Sequence, residues 1–282
     1  MLSLVRNALL NPPQTLNELR HILVGQQRPL QGRTVVITGA SSGIGEAAAR
    51  QFAARGAIVV AVARHLDTLE AVCDSIIVDG GTAHPVVADM SDPDDARRLA
   101  DEILEMFGVP DVVINNAGRS IRRSTLYTAD RFHDYQRTMA LNYFGPVQLV
   151  TALLPAMVDA GRGHIINVVT WGVSAGAMPK FGAYHASKAA LAAFGRSLDA
   201  ECEGTGVVVT NAGFPLVRTP MIAPTTAYDD APALTSEEAG AWLVRAYDTR
   251  PAELYPGYAL VLRAVAAVSP RLAGRLTARL GI

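Results

Sequence analysis

The chain has 282 residues, half of them apolar, with 25 Lys and Arg set against 26 Asp and Glu. That balance excludes a general nucleic-acid surface and leaves ample material for a large core. Cys73 and Cys202 lie far apart on predicted helices, so they form neither a metal spacing nor a disulfide framework, which suits a reducing cytosol.

Met1 to Leu10 is too short and too poorly flanked for a secretory signal, and no apolar run of roughly eighteen residues predicts a spanning helix. Residues 1–31 read as an extension: an apolar piece ending in Asn11-Pro12-Pro13, then a capped helix over Thr15–Leu23. From Arg33 onward strands and helices alternate. Strands are predicted at Thr34–Thr38, Ala57–Ala63, His84–Asp89, Asp111–Asn115, His164–Val169 and Val207–Asn211. Helices are predicted at Glu46–Arg55, Leu66–Val78, Pro93–Phe107, Ala129–Asp159 and Tyr184–Gly204. This alternation predicts one α/β domain over 32–250, a doubly wound parallel sheet of Rossmann type with helices on both faces. Right-handed crossovers bring the C-terminal ends of the strands to one edge, where ligands bind.

Two motifs fall on that edge. Thr38-Gly39-Ala40-Ser41-Ser42-Gly43-Ile44-Gly45 stands between the apolar strand and a helix-forming stretch. Glycines there let backbone N–H groups approach a pyrophosphate at the helix N-terminus. Tyr184 and Lys188 lie four apart, on one face of a helix. An ammonium beside a phenol favours the phenolate, so this pair is expected to lower the tyrosine pKa and move a proton to or from a carbonyl oxygen.

Together with Asn115-Asn116-Ala117-Gly118 and Asn142, these residues resemble the short-chain dehydrogenase/reductase family over roughly Arg33 to Met221. Asn116–Arg123, Arg131–Asp134, Leu141–Gly145 and Pro215–Thr225 further resemble the bacterial fatty acyl-CoA reductases of that family, which reduce long-chain acyl-CoA to aldehyde with NADPH. The resemblance implies that Tyr184 is the acid/base, Lys188 holds the nicotinamide ribose, and Asn142 holds a water linking Lys188 to solvent. It implies dinucleotide contacts from Gly39, Ser41, Ser42, Gly43, Ile44, Gly45, Asn116, Ala117, Gly118, Val217 and Thr219, the last two in a lid over Pro215–Tyr228. The family's glycine after the lid proline is replaced by Leu216, as in the acyl-CoA reductase subgroup.

The family expects a serine where the fifth strand ends. Here Thr170 takes the place and keeps a hydroxyl, with Ser174 as the rival. Arg64 follows the second strand where an NAD-binding chain would carry an acid, so it suits the 2′-phosphate of NADP(H). Asp89 would face the adenine, or cap a helix. Arg119, Arg122 and Arg123, with Lys180 and Arg218, either bind coenzyme A phosphates or form a solvated loop face.

Residues 251–282 form a basic tail in which Arg271, Arg275 and Arg279 recur every fourth position beside apolar residues. Such a helix packs on its own domain, covers an acyl chain, or touches an anionic membrane. The Asp-Gly-Gly ending of many tetrameric members is absent, which leaves a homodimer or a homotetramer open. The reading is therefore an NADPH-dependent reductase of a hydrophobic carbonyl, first a fatty acyl-CoA, with no covalent cysteine and no metal. The alternatives are a reductase of another hydrophobic carbonyl compound, such as a sterol, terpene or polyketide, and a non-catalytic dinucleotide sensor.

Overall fold

The computed structural model describes residues 9–13 and 27–279. Seven strands form one parallel sheet: β1 (Thr34–Thr38), β2 (Ile58–Ala63), β3 (Thr82–Val87), β4 (Val112–Asn115), β5 (Gly163–Thr170), β6 (Val207–Phe214) and β7 (Glu253–Leu254). Their order is β3-β2-β1-β4-β5-β6-β7. The order reverses between β1 and β4, and such switch points open a crevice at the strand C-termini. The six expected strands are present with ends shifted by a few residues, and β7 is added at the edge, too short to leave a period in the sequence.

Ten helices accompany them among the described residues: α1 (Gly43–Ala54), α2 (Leu66–Val78), α3 (Pro93–Phe107), α4 (Phe132–Met139), α5 (Gly145–Asp159), α6 (Gly172–Ala175), α7 (Gly182–Glu201), α8 (Ser236–Thr249), α9 (Gly257–Val268) and α10 (Pro270–Arg279). The single helix expected over Ala129–Asp159 starts later and is interrupted by a π turn at Ala140–Phe144, which carries Asn142. The helical run Phe132–Asp159 is long and apolar enough, by length and composition, to cross a bilayer, unlike the expectation above. Its face Leu149, Val150, Leu153 and Met157 is nevertheless buried under the sheet, as in the core helix of a soluble domain. The expected helix Thr15–Leu23 lies outside the described residues.

Every residue of β1, β4 and β5 is buried, because helices cover both faces. One face packs Ile37, Phe52, Leu69 and Leu243; the other packs Leu99, Ile103, Leu149 and Ile165. Each such side chain contributes roughly 1.5–3 kcal/mol by leaving water. α8 escaped the sequence reading although its start is marked. Glu238 N donates to Thr235 Oγ1 at 3.1 Å, and Thr235 N donates to Glu238 Oε2 at 2.8 Å, a capping box. Trp242 of α8 stacks on Phe214 at 5.0 Å and donates through Nε1 to Asn11 Oδ1 at 3.1 Å. Leu10 is buried beside them, so this part of the N-terminal extension belongs to the core.

The tail also packs back on the domain. Ala259 and Leu262 of α9 and Ala273 of α10 are buried, while Arg263 pairs with Glu253 at 2.7 Å. Leu260, Val261, Val268 and Leu272 stay exposed beside the stripe Arg271, Arg275 and Arg279.

Candidate active site

The loops leaving the central strands enclose one cleft of about 1590 Å³. At the end of β1 the Thr38 hydroxyl donates to Ile114 O at 3.2 Å and accepts from Asn116 N and Ala117 N, both at 3.0 Å. Asn116 Nδ2 adds bonds to Thr38 O at 2.9 Å and Gly39 O at 3.1 Å. This network ties the loop after β4 to the glycine turn, and Thr38 as its hub went unread in the sequence. Gly39 has φ +67°, and a Cβ there would lie 2.9 Å from Ala117 Cα. A Cβ on Gly45 would collide with Gly39 O. Bare backbone thus lets the turn close under the N-terminus of α1, where Ser42 makes no side-chain cap and leaves N–H groups for an anion. Gly39, Ser41, Ser42, Gly43 and Ile44 line the cleft; Gly45 stands buried behind them.

α7 presents Tyr184 and Lys188 to the same cleft. Lys188 is buried and donates through Nζ to Val168 O at 2.8 Å. Burial pulls its ammonium down to about 8. The phenol of Tyr184 moves opposite to expectation: burial pushes it up to about 12, against a bond with the Thr170 hydroxyl that lowers it. The reason is that the ammonium turns to Val168 O, while Trp171, Met178 and Phe181 make the surrounding wall apolar.

Asn142 is fully buried and clamps the loop after Gly118. Its Nδ2 donates to Arg119 O and Ser187 Oγ, both at 2.9 Å, and its Oδ1 accepts from Arg119 N at 2.8 Å. A Cβ on Gly118 would lie 3.2 Å from Lys188 Nζ and 3.3 Å from Asn142 Oδ1, so a side chain there would crowd both groups. Thr170 ends β5 and lines the cleft, with its hydroxyl also donating to Met178 Sδ at 3.8 Å. Ser174 points elsewhere: it donates to Ala259 O at 3.4 Å and helps hold α9.

Beneath these groups lies a feature the strand pattern hid. Asn115 Nδ2 donates to Asn167 Oδ1 at 2.9 Å, Asn167 Nδ2 to Asn211 Oδ1 at 3.2 Å, and Asn211 Nδ2 to Ala192 O at 3.1 Å. The three asparagines are register partners on β4, β5 and β6. An asparagine inside each of three apolar strands was the available signal.

Arg64 and His65 line the other end of the cleft. Burial would raise the nearby Asp89 carboxyl, but bonds from Ser91 and the charges of Arg64 and Arg119 outweigh it and hold it below the usual range. Its Oδ1 accepts from Ser91 N at 2.9 Å and Ser91 Oγ at 2.7 Å, so Asp89 shapes its own turn. Val217 and Thr219 face the cleft from the lid.

The three arginines do not converge on the cleft. Only Arg119 of the three lines the cleft. Arg122 places its guanidinium 5.9 Å from the ring centre of Tyr228. Arg123 binds Asp134 at 2.5 Å, alongside Arg131 and Arg137. That carboxylate is buried, and the Arg131 bond above all holds it down at about 2, so Arg123 is drawn toward Asp134 and away from the cleft lining. Lys180 turns the backbone at φ +69°, and its carbonyl accepts from Arg123 N. Arg218 donates to Tyr228 O at 2.8 Å, Asp229 O at 2.9 Å and Ala231 O at 2.8 Å. Charge repulsion among the five favours this dispersal, and two of them find their own acceptors, Arg123 on the next helix and Arg218 within the lid.

The sequence pattern of the short chain dehydrogenases matches residues 33–230. The chain belongs to the short-chain dehydrogenase family. A fatty acyl-CoA reductase of Mycobacterium tuberculosis is 48% identical over 250 residues, covering 89% of this chain and 85% of that one. A fatty acyl-CoA reductase of Acinetobacter baylyi is 48% identical over 222 residues, covering 79% and 75%. Among solved structures, a metagenomic short-chain oxidoreductase in complex with NADP superposes with a TM-score of 0.69 at 31% identity, covering 80% of this chain and 97% of that one. As a member of this family the chain is an oxidoreductase that uses a nicotinamide dinucleotide, and the glycine cradle at α1 fits the pyrophosphate of that cofactor. Among the described residues no group of His, Cys, Asp or Glu could hold a metal ion.

Proposed function

We propose that the chain reduces fatty acyl-CoA thioesters to aldehydes with NADPH. The observation that carries this is the shape of the cleft. One end is built from the dinucleotide motifs, and the other is an apolar extension formed by Trp171, Leu216 and Ile222 with Tyr258, Leu262 and Leu276 of the last two helices. Its volume exceeds the roughly 300–1,000 Å³ of an ordinary small-molecule pocket, so cofactor and a long chain fit together. The resemblance of the reductases from Mycobacterium tuberculosis and Acinetobacter baylyi supports the same substrate.

In this reading Gly39–Gly45, Asn116–Gly118, Val217 and Thr219 hold the dinucleotide, Asp89 shapes the adenine side, and Lys188 holds the nicotinamide ribose. The bound cofactor supplies a hydride to the thioester carbon. Thr170 and Tyr184 donate to the carbonyl oxygen as it becomes an oxyanion, where preorganised donors act most strongly. Asn142 holds a water that links Lys188 to solvent, while thioester cleavage itself consumes no proton from the site. The oxyanion collapses, coenzyme A leaves as its thiolate, and an aldehyde remains. Of the three arginines after the Asn-Asn-Ala-Gly turn, Arg119 is the one that lines the cleft, and it is assigned to a coenzyme A phosphate.

Purified protein given NADPH and palmitoyl-CoA is expected to release one free thiol per NADPH oxidised. NADPH oxidation with hydrophobic aldehydes or ketones but no thiol release would sink the thioester reading. It would favour a reductase of another hydrophobic carbonyl compound, the reading that the dispersal of Arg123 and Arg218 supports.

Arg64 is assigned to the 2′-phosphate. Arg64→Glu should weaken NADPH binding by about tenfold or more and leave NADH binding nearly unchanged, since a charge-assisted bond carries about 1.5–3 kcal/mol. Equal losses for the two cofactors, measured by fluorescence titration, would remove the assignment.

The exposed apolar residues of α9 and α10, with their arginine stripe, fit an anionic membrane surface from the cytosolic side. Vesicles containing phosphatidylserine should sediment the protein, and Arg271→Glu with Arg275→Glu should release it. Equal sedimentation on neutral vesicles would discard the electrostatic part.

A further inference from the structure

Thr170 and Tyr184 attend to the oxygen of the reacting carbonyl, yet neither they nor Lys188 is assigned to the atom that departs. Resting on the thioester reading above, we propose that Tyr228 stabilises the departing sulfur, with Arg122 as the residue that positions it.

Tyr228 belongs to the lid but behaves as a core residue. It is only 8% exposed, it lines the cleft, and it packs in the same cluster as Trp171, Phe181 and Tyr184. Its backbone is anchored by the Arg218 bond to its carbonyl at 2.8 Å, so its place does not depend on its hydroxyl. From the loop after β4, Arg122 sets its guanidinium 5.9 Å from the phenol ring centre. Arg122 Nε is buried without a hydrogen-bond partner. A cation held over a phenol, with a donor unused and an apolar wall nearby, is an arrangement that waits for negative charge.

The reaction produces that charge at a second atom. When the oxyanion collapses, the C=O double bond re-forms, the C–S bond breaks, and its electron pair stays on sulfur. In an apolar cleft an unpaired thiolate costs several kcal/mol. Burial raises the Tyr228 phenol while Arg122 opposes the rise, so the hydroxyl stays protonated at neutral pH. A thiol ionises near 8.5, below a phenol, so Tyr228 donates a hydrogen bond to the thiolate and keeps its proton. The thiolate takes its proton from water after leaving. Tyr228 starts and ends neutral, and no further reactant is needed.

The full chain carrying Tyr228→Phe tests this, because phenylalanine keeps the ring, its packing and the ring contact with Arg122, and removes only the hydroxyl and its bond with Arg122. Turnover of palmitoyl-CoA should fall about tenfold. Turnover of a palmitoyl thioester of an aryl thiol, whose acidic thiolate departs unaided, should fall less than about twofold, as should that of the free aldehyde. By calorimetry the wild type should bind coenzyme A more tightly than desulfo-coenzyme A, and the variant should lose that preference. Arg122→Met should repeat the leaving-group pattern and Arg122→Lys should restore most of the loss. Equal losses on alkyl thioester, aryl thioester and aldehyde, or an unchanged coenzyme A preference, would make Tyr228 a lid-packing residue only. No thiol release by the wild type would sink the thioester reading itself, and this inference with it.

Discussion

Tyr184→Phe should cut turnover by roughly 10²–10⁴-fold while dinucleotide affinity stays within about threefold, because the phenol acts on a proton and its ring fills the same wall. The phenol, pushed up to about 12, is fully protonated at neutral pH, the form that donates to an oxyanion during reduction. Its neighbour makes a second, opposite prediction. The Lys188 ammonium falls from 10.5 to about 8 on burial, so the fold disfavours its charge. The unfolded chain then holds more protons than the fold between about 8 and 10.5, and stability rises with pH across that window. Below it, the charged Lys188 costs about 3 kcal/mol. Lys188→Met should therefore melt at a higher temperature at pH 7 while losing turnover. A variant that is inactive because it is less stable would contradict this account.

Gly45→Val should abolish dinucleotide binding and destabilise the fold by several kcal/mol. The added Cβ would overlap Gly39 O and lie 2.6 Å from Asn116 Nδ2, and neither neighbour can retreat. Asn116 is bonded to Thr38 O and Gly39 O, and the turn at Gly39 is packed on Ala117 Cα. Overpacking usually costs about 1–3 kcal/mol, and here a buried hydrogen-bond network breaks with it. Gly80→Ala is the matching control for the loss of a glycine, since nothing lies within 4 Å of its missing Cβ. It has φ +84°, so a modest loss of stability with full dinucleotide binding is expected there. Cofactor binding by Gly45→Val at wild-type strength, measured by calorimetry, would show that the turn does not close as described.

The sheet was legible because strand and helix periods are local, and most of β1 through β6 leave an apolar run bounded by turn residues, with the half-exposed β3 the exception. The glycine turn and the Tyr184/Lys188 pair were legible for a related reason: short spacings within one element carry their geometry with them. What sequence could not supply depended on partners distant along the chain. Arg123 finds Asp134 and Arg218 finds the lid carbonyls, so charges that look like one cluster in a line disperse in space. The Tyr184 phenol rises because burial, a three-dimensional quantity, outweighs the proximity of a lysine four residues on. The π turn that carries Asn142 was hidden because it changes the winding of a helix and leaves its composition alone. Thr170 lines the cleft while Ser174 turns to Ala259 O, a difference of direction that no spacing encodes.

The row of amides through Asn115, Asn167 and Asn211 has a consequence for how this site can vary. Those strands end in the loop of Asn116, in Thr170 and in Phe214 at the root of the lid. A slip of any one strand by a residue would turn its asparagine to the opposite face and leave the buried amide it pairs with unpartnered. The relative heights of dinucleotide loop, reacting hydroxyl and lid hinge are therefore locked from below. The apolar side chains that the last two helices turn to the cleft stand above that level, where they can be reshaped for a different hydrophobic substrate without shifting those three.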